Sequence, residues 1–217
     1  MHDSIGSNAP PFVARVPGSD PTCPEGLAVP GHSSRKALFL DRDGVINVNL
    51  GYVHSARETE WLPGIFELCD AARTAGYLLV VVTNQAGIAR GRYSEQVFID
   101  YTRWMHAEFA CRGTPIAVTY FCPHHPTAGV GLARITCECR KPRPGMILAA
   151  AAALDLELEN CIMVGDQLSD MQAAKMAGVP RRFRLCAEDR QTSSKAVPSL
   201  FQIPAMLGWG QGAGPAR

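Results

Sequence analysis

Residues 37–44 read ALFLDRDG, an apolar run that ends abruptly at two aspartates. Four consecutive apolar residues are typical of a strand that is buried on both faces of a parallel sheet. In an extended chain, residues two apart project to the same side, so Asp41 and Asp43 can face one ligand. Such a pair suits a nucleophile with a general acid/base, or metal binding, whereas the tetrapeptide alone is better explained as a surface turn.

Strands alternate with helices along the chain that follows. Apolar runs predict further strands at 77–82, 116–121, 161–164 and 182–186. Capping residues and helical spacing predict helices at 63–76, 94–112, 144–154 and 169–178, with Ser94 and Ser169 as caps. This alternation indicates an α/β fold, a Rossmann-like parallel sheet with helices on both faces. Ligands bind outside the carboxyl ends of such strands, where Asp41, Thr83 and Asp166 lie.

The composition excludes several classes of protein. The 217 residues are 47% hydrophobic and 19% charged, which supplies a core and excludes wholesale disorder. No apolar run approaches the roughly 20 residues of a membrane-spanning helix, and a net charge of +1 predicts no affinity for nucleic acid or anionic lipid. Residues 1–30 hold no apolar segment of the secretory kind, so we predict a cytoplasmic protein. We expect a monomer, with free thiols or a metal site rather than disulfides.

Four more polar side chains extend the chemistry of the two aspartates. Thr83 adds a hydroxyl and Lys141 a compact cation, while Asp166 and Asp170 add a second acidic pair. One cation, one hydroxyl and several carboxylates around a strand-end crevice indicate a Mg²⁺-assisted phosphoryl-transfer site. Asp170 either contacts the metal through water or orders the start of its helix, and we favour the second interpretation.

A second cluster combines cysteine and histidine. Cys122-x-His124 is followed, after twelve residues, by Cys137-x-Cys139. Three thiolates and one imidazole on a closed loop are typical of a tetrahedral structural zinc site, and the alternative is two pairs of thiols beside a proline turn. The loop leads directly into Arg140 and Lys141, so zinc would fix a pair of cations over the crevice.

The motifs resemble those of the haloacid dehalogenase (HAD) superfamily, in order and spacing, over about residues 36–186. The resemblance is carried by the segments FLDRDG at 39–44, VTNQ at 82–85, KP at 141–142 and GDQLSD at 165–170. It implies a HAD-like fold, with the zinc loop as an insertion, and a phosphatase that depends on Mg²⁺.

The resemblance also implies a role for each motif residue. Asp41 would be the nucleophile that forms an aspartyl-phosphate, and Asp43 would protonate the leaving oxygen and later deprotonate water. Thr83 and Lys141 would hold the phosphoryl oxygens. Mg²⁺ would bind Asp41, the backbone carbonyl of Asp43, and Asp166.

The zinc loop narrows the resemblance to one family. The segments GYVH at 51–54, QAGIARG at 85–91, CPHHP at 122–126 and CECRKP at 137–142 resemble the D-glycero-D-manno-heptose 1,7-bisphosphate 7-phosphatases. The histidinol-phosphate phosphatases have a similar zinc loop and are the alternative within the class; a non-catalytic zinc-stabilised binding module is the alternative outside it.

The family resemblance implies further site residues. It makes His124 the zinc ligand beside the three cysteines, although His125 could replace it or face the substrate. Arg140 would bind the second phosphate or the sugar of a small phosphorylated substrate. The remaining substrate-binding residues implied are Asn49, Gly51, Tyr52, Thr83, Asn84, Gln85 and Lys141.

Three segments are predicted. Residues 1–34 are rich in Pro, Gly and Ser and predict an extended or disordered N-terminal arm. Residues 35–190 carry every motif and predict the phosphatase domain. Residues 191–217 form a C-terminal segment with no assigned structure.

Overall fold

The computed structural model describes residues 14–18, 35–186 and 194–209. Its strands are β1 Arg15–Pro17, β2 Lys36–Leu40, β3 Tyr77–Asn84, β4 Val118–Cys122, β5 Ile162–Gly165, β6 Arg181–Leu185 and β7 Lys195–Val197. They form one sheet in the order β1-β4-β3-β2-β5-β6-β7. All neighbours are parallel except β1 and β4, which are antiparallel. The predicted parallel sheet is therefore confirmed.

The strand order places a topological switch beside β2. The chain runs from β2 outward through β3 to β4, and then returns to the other side of β2 with β5. Leu40 at the end of β2 pairs with Val81 of β3 and with Val164 of β5. Connections leave in opposite directions at this point, which opens a crevice outside the carboxyl ends of the strands.

Helices cover both faces of the sheet because alternate strand residues point to opposite sides. The helices are α1 Ile65–Thr74, α2 Ala86–Ala89, α3 Glu95–Cys111, α4 Gly145–Leu154, α5 Leu168–Ala177 and α6 Gln202–Met206. Phe39 belongs to a core cluster with α4 and α5, whereas Leu38 and Leu40 belong to one with α1, α3 and α6. Short 3₁₀ helices lie at Ala56–Glu58, Gly131–Ala133 and Leu158–Asn160. Within the described ranges, every helix is too short or too polar to cross a membrane.

Residues 14–18 of the predicted arm are described, and β1 adds an edge strand to the sheet. Buried Val16 packs in a cluster with Phe98 and Phe121. His106 of α3 joins the layers: its Nδ1 lies 3.2 Å from the Pro17 carbonyl, and its Nε2 lies 2.8 Å from the hydroxyl of Thr119. Burial lowers the pKa of His106 to about 4, so at neutral pH the ring donates to Pro17 and accepts from Thr119.

The division into three segments stays a prediction. Residues 1–13 and 19–34 of the arm, the boundary at residue 190 and the end of the chain from residue 210 lie outside the described residues. In the predicted C-terminal segment, Leu200 and Ile203 are buried in the core of the sheet domain. The described part of that segment therefore packs with the domain.

One predicted cap is wrong. The helix α5 begins at Leu168, and its N-cap is Gln167 rather than Ser169. Gln167 and Asp170 form a capping box, in which the Asp170 carboxylate accepts a hydrogen bond of 2.9 Å from the backbone N–H of Gln167. Because this carboxylate satisfies the free amide, the helix starts before Ser169. The interpretation that Asp170 orders the helix start is confirmed.

The two serines predicted as caps provide a test of stability. Ser94 accepts a hydrogen bond of 3.2 Å from the backbone N–H of Val97, so Ser94→Ala should lower the free energy of unfolding by about 1 kcal/mol. Ser169→Ala is the matched control and should change it by less than about 0.5 kcal/mol, since no cap is lost. Urea unfolding followed by circular dichroism measures both. Equal losses would contradict the assigned N-cap of α5.

Candidate active site

The crevice outside the strand ends is a cavity of about 270 Å³. Every residue predicted for catalysis, magnesium binding and substrate binding lies on its wall. These residues are Asp41, Asp43, Asn49, Gly51, Tyr52, Thr83, Asn84, Gln85, Arg140, Lys141 and Asp166. Residues 41–52, 83–87, 140–141 and 166–170 come from four separate parts of the chain, so the fold alone brings them together.

Lys141 is the buried cation of the cavity. Its Nζ lies 2.9 Å from Oδ1 of Asp41 and 2.6 Å from Oδ1 of Asp170, and it donates to the Val82 carbonyl at 2.8 Å. These three partners match the three N–H donors of an ammonium group. Burial by itself lowers the pKa of Lys141, but the carboxylates of Asp170 and Asp41 raise it above its usual range. Lys141 therefore stays charged.

Asn84 fixes the backbone of Lys141. Its Oδ1 accepts a hydrogen bond of 3.0 Å from the Lys141 N–H, and its Nδ2 donates to the Lys141 carbonyl at 3.0 Å. Both ends of the amide are thus committed to one residue across the cavity. The Asn84 side chain, which is predicted to bind substrate, therefore holds the loop that carries Lys141 (the lysine loop) against the end of β3.

Asp41 is held through one of its two carboxylate oxygens. Its Oδ1 faces Lys141 and accepts a hydrogen bond of 2.7 Å from the backbone N–H of Arg42. Within the described part of the chain, Oδ2 has no partner of its own and is the oxygen available to a ligand. Burial raises the pKa of Asp41 to about 6, and Asp170 and Asp43 add to this while Lys141 opposes it.

A carboxylate cluster fits a divalent cation. One carboxylate oxygen from each of Asp41, Asp166 and Asp170 lies within 4.8 Å of the other two. Oδ1 of Asp166 is buried with no hydrogen-bond partner, and burial, followed by the nearby Asp41, raises the pKa of Asp166. Oxygen donors of this kind suit Mg²⁺. Gly44 (φ +86°) permits the approach, since a Cβ there would lie 2.5 Å from Oδ2 of Asp166.

Thr83 and Gln85 form a small network that orients the threonine hydroxyl. Gln85 Nε2 donates to Oγ1 of Thr83 at 2.9 Å, and Gln85 Oε1 accepts from the hydroxyl of Tyr93 at 2.6 Å. Because Oγ1 accepts from Gln85, its own proton is left for a ligand oxygen. No sequence pattern points to Tyr93, which reaches the cavity from the turn after α2.

The cysteine and histidine residues form the predicted cluster. The ligand atoms of Cys122, His124, Cys137 and Cys139 all lie within 4.8 Å of one another, a set that could hold zinc. The Nδ1 atom of His124 lies 3.8 Å from Cys122 Sγ and 3.5 Å from Cys139 Sγ. Cys139 hydrogen bonding lowers the pKa of the Cys122 thiol to about 6, which favours the thiolate that a metal requires.

His125 is not part of the cysteine and histidine cluster and contacts the loop backbone instead. Its Nδ1 accepts hydrogen bonds from the backbone N–H groups of Thr127 (3.3 Å) and Ala128 (3.0 Å), which orders the loop. The Arg140 guanidinium donates to the His124 carbonyl at 3.1 Å and also lines the cavity. The sulfur cluster and the cavity are therefore joined through Arg140.

Comparison with known proteins assigns the family. Residues 138–183 match the family model described as HAD-hydrolase-like. A Vibrio cholerae D-glycero-beta-D-manno-heptose-1,7-bisphosphate 7-phosphatase is 50% identical over 146 residues, which are 67% of this chain and 78% of that protein. A Burkholderia mallei phosphatase named for the alpha form is 47% identical over 184 residues, 82% of this chain and 97% of that protein. The chain belongs to the heptose-bisphosphate phosphatase family of HAD-like hydrolases.

Solved structures agree with this family assignment. The D,D-heptose 1,7-bisphosphate phosphatase from B. bronchiseptica, complexed with magnesium and phosphate, matches with a TM-score of 0.68 and 30% identity, covering 80% of this chain and 97% of that chain. A HAD-like structure from Mesorhizobium loti matches with a TM-score of 0.72 and 32% identity, covering 83% and 94%. The predicted HAD-like fold and the membership of a phosphoric monoester hydrolase family are confirmed, and magnesium is present in a homologous structure.

The cysteine cluster leads to a test by metal analysis. We expect the purified chain to contain one zinc ion without added metal, and Cys137→Ser to lose it, because a hydroxyl is a far poorer zinc ligand than a thiolate. Loss of zinc should disorder the loop before Arg140 and lower phosphatase activity, and added Mg²⁺ should not restore that activity.

Mass spectrometry of the bound metal and steady-state assays measure both effects. Cys111→Ser is the matched control, since Cys111 is an exposed free thiol outside the cluster. The zinc assignment fails if the wild-type protein is free of zinc after expression with an adequate supply. A zinc-free Cys137→Ser variant with full activity would remove the loop from any role in catalysis.

Proposed function

We propose that this chain is a Mg²⁺-dependent phosphatase that removes the 7-phosphate of a D-glycero-D-manno-heptose 1,7-bisphosphate through an aspartyl-phosphate. The observation that carries the proposal is the arrangement of Asp41, whose Oδ1 is held by Lys141 at 2.9 Å while Oδ2 remains available in a strand-end cavity. The relatives named above support the substrate class. We also propose that the substrate is a small phosphorylated sugar and that the protein acts in the cytoplasm.

The first half of the reaction transfers the phosphoryl group to the protein. Oδ2 of Asp41 attacks phosphorus, the bond to the sugar oxygen breaks, and Asp43 gives its proton to that oxygen. Lys141 and the hydroxyl of Thr83 hold the phosphoryl oxygens as charge shifts onto them. The second half reverses the roles: Asp43 takes a proton from water, the water oxygen attacks phosphorus, and inorganic phosphate leaves Asp41.

Two negative charges must meet in the first step. A carboxylate and a phosphate in contact repel each other by about 4 kcal/mol per pair of unit charges at an intermediate dielectric. The Lys141 ammonium offsets part of this repulsion. We propose that Asp41, the backbone carbonyl of Asp43, and Asp166 hold Mg²⁺, which supplies the remaining positive charge when bound.

The zinc loop contributes by position rather than by chemistry. We propose that Cys122, His124, Cys137 and Cys139 hold a structural zinc ion, because four protein ligands leave no open coordination position for substrate. Arg140 follows the last ligand directly and faces the cavity. We propose that it binds the phosphate that does not react.

Asp41 provides the most direct mutational test. Asp41→Asn should lower kcat by at least about 10³-fold, because an amide is a poor nucleophile and a weak Mg²⁺ ligand. Release of phosphate from the heptose bisphosphate measures this loss. Asp100→Asn, an equivalent change at an exposed residue of α3, is the control and should retain activity. Near-normal turnover by Asp41→Asn would contradict the proposed nucleophile.

The two cations should have separable effects. Lys141→Ala should lower kcat about 10²- to 10³-fold for every phosphate ester, because it removes charge at the transferring group. Arg140→Ala should raise KM about tenfold for the bisphosphate and leave a simple monoester nearly unchanged. Steady-state kinetics with both anomers of the heptose bisphosphate, histidinol phosphate and a simple monoester measure this. Equal losses of Arg140→Ala on bisphosphate and monoester, or a preference for histidinol phosphate, would contradict the substrate assignment.

A further inference from the structure

Arg42, between the two aspartates, is the largest of the fully buried side chains, with none of its surface exposed. A guanidinium without water is costly unless its donors are paired. Its Nη2 donates to the Val53 carbonyl at 2.8 Å, and the rings of Phe98 and Tyr101 lie 5.5 and 5.3 Å from its central carbon. These contacts and the pairing with Asp43 hold the guanidinium, although within the described residues its buried Nη1 has no hydrogen-bond partner.

The guanidinium holds the neighbouring Asp43 through both carboxylate oxygens. Oδ1 of Asp43 accepts from Nε of Arg42 at 3.1 Å and from Nη2 at 2.8 Å, and Oδ2 accepts from Nη2 at 2.7 Å. Asn47 Nδ2 donates to Oδ1 from another direction at 3.1 Å. Bidentate pairing of this kind sets the orientation of a carboxylate as well as its position.

The two oxygens of Asp43 are occupied unequally. Oδ1 accepts one hydrogen from Nε of Arg42 and one from Asn47 Nδ2. One Nη2 hydrogen goes to the Val53 carbonyl, and the other is shared between Oδ1 and Oδ2, to which Gln85 Nε2 adds a long contact of 3.4 Å. A carboxylate oxygen has two lone pairs. Oδ1 is therefore saturated, and Oδ2 keeps the capacity to exchange a proton with a ligand in the cavity that Asp43 lines.

We propose that Arg42 is the positioning residue for proton transfer by Asp43. It anchors Oδ1 and presents Oδ2, so that the proton on Oδ2 passes to the leaving oxygen as the bond from that oxygen to phosphorus breaks. This inference rests on the proposed function. The competing explanation is that Arg42 only stabilises the fold by joining Val53, Phe98 and Tyr101.

The leaving group distinguishes these two roles. An alkyl phosphate expels an alkoxide that needs a proton, whereas 2,4-dinitrophenyl phosphate expels a stable anion that does not. The value of kcat/KM reports the steps up to transfer of the phosphoryl group to Asp41. A lost general acid therefore lowers kcat/KM for the alkyl ester, while a loosened fold lowers it for both esters alike.

We expect Arg42→Gln to lower kcat/KM for the alkyl phosphate by about 10²-fold, the lower end of the effect of a general acid, and to lower it far less for the dinitrophenyl ester. Asp43→Asn should show the same pattern. The double variant should be no worse than Asp43→Asn, because both changes remove one function. Arg42→Lys should recover part of the loss, and Arg103→Gln, a loss of charge at an exposed arginine, should have no effect.

Three results would overturn the positioning role: equal losses on the two esters, additive losses in the double variant, or a normal alkyl-ester activity in a folded Arg42→Gln. If the Arg42 variants do not fold, Asn47→Ala decides, since Asn47 holds the same Oδ1, and it must show the same leaving-group pattern. A wild-type protein that hydrolyses neither ester would overturn the proposed function and this role together. An active wild type with equal losses overturns the role of Arg42 alone.

Discussion

The cavity depends on one buried ammonium group. Lys141 joins Asp41, which follows β2, to the Val82 carbonyl in β3 and to Asp170 at the start of α5. A buried charge is stable only when its hydrogen bonds are complete. The lysine loop, the Asn84 side chain that grips its backbone and the two carboxylates must therefore assemble as one unit. When a phosphate arrives, the same cation already stands beside Asp41.

The carboxylate cluster and the cysteine and histidine cluster differ in the kind of metal ion that their donor atoms suit. The carboxylates of Asp41 and Asp166 are hard oxygen donors beside an open cavity, which suits a cation that meets substrate. The thiol groups of Cys122, Cys137 and Cys139 are soft donors of the kind that close around one zinc ion in structural sites. Since Cys139 is followed directly by Arg140 and Lys141, order in the sulfur cluster determines where both cations lie. Structural and catalytic parts are in this way adjacent in the chain.

The strands and the residues at their ends can be predicted from the sequence, because each has a pattern within a short segment of chain. Apolar runs that end in polar residues locate the strands, and the rule that ligands bind at strand ends then brings Asp41, Thr83 and Asp166 to one edge. Individual side-chain contacts have no such pattern, even between residues close in the chain. The capping box that displaces Ser169 and the bidentate hold of Arg42 depend on side-chain geometry that spacing does not encode. The short edge strand β1 forms only because β4 offers it a partner.

In the proposed reaction the phosphoryl group is transferred to Asp41 and not directly to water. Borohydride added to the enzyme during turnover reduces an acyl-phosphate, which converts a phosphorylated aspartate into homoserine. Peptide mass spectrometry then locates the change. We expect homoserine at position 41, dependent on substrate, and none at positions 43 and 166. Homoserine at another aspartate, or an unmodified Asp41 in enzyme that is rapidly releasing phosphate, would contradict the proposed transfer.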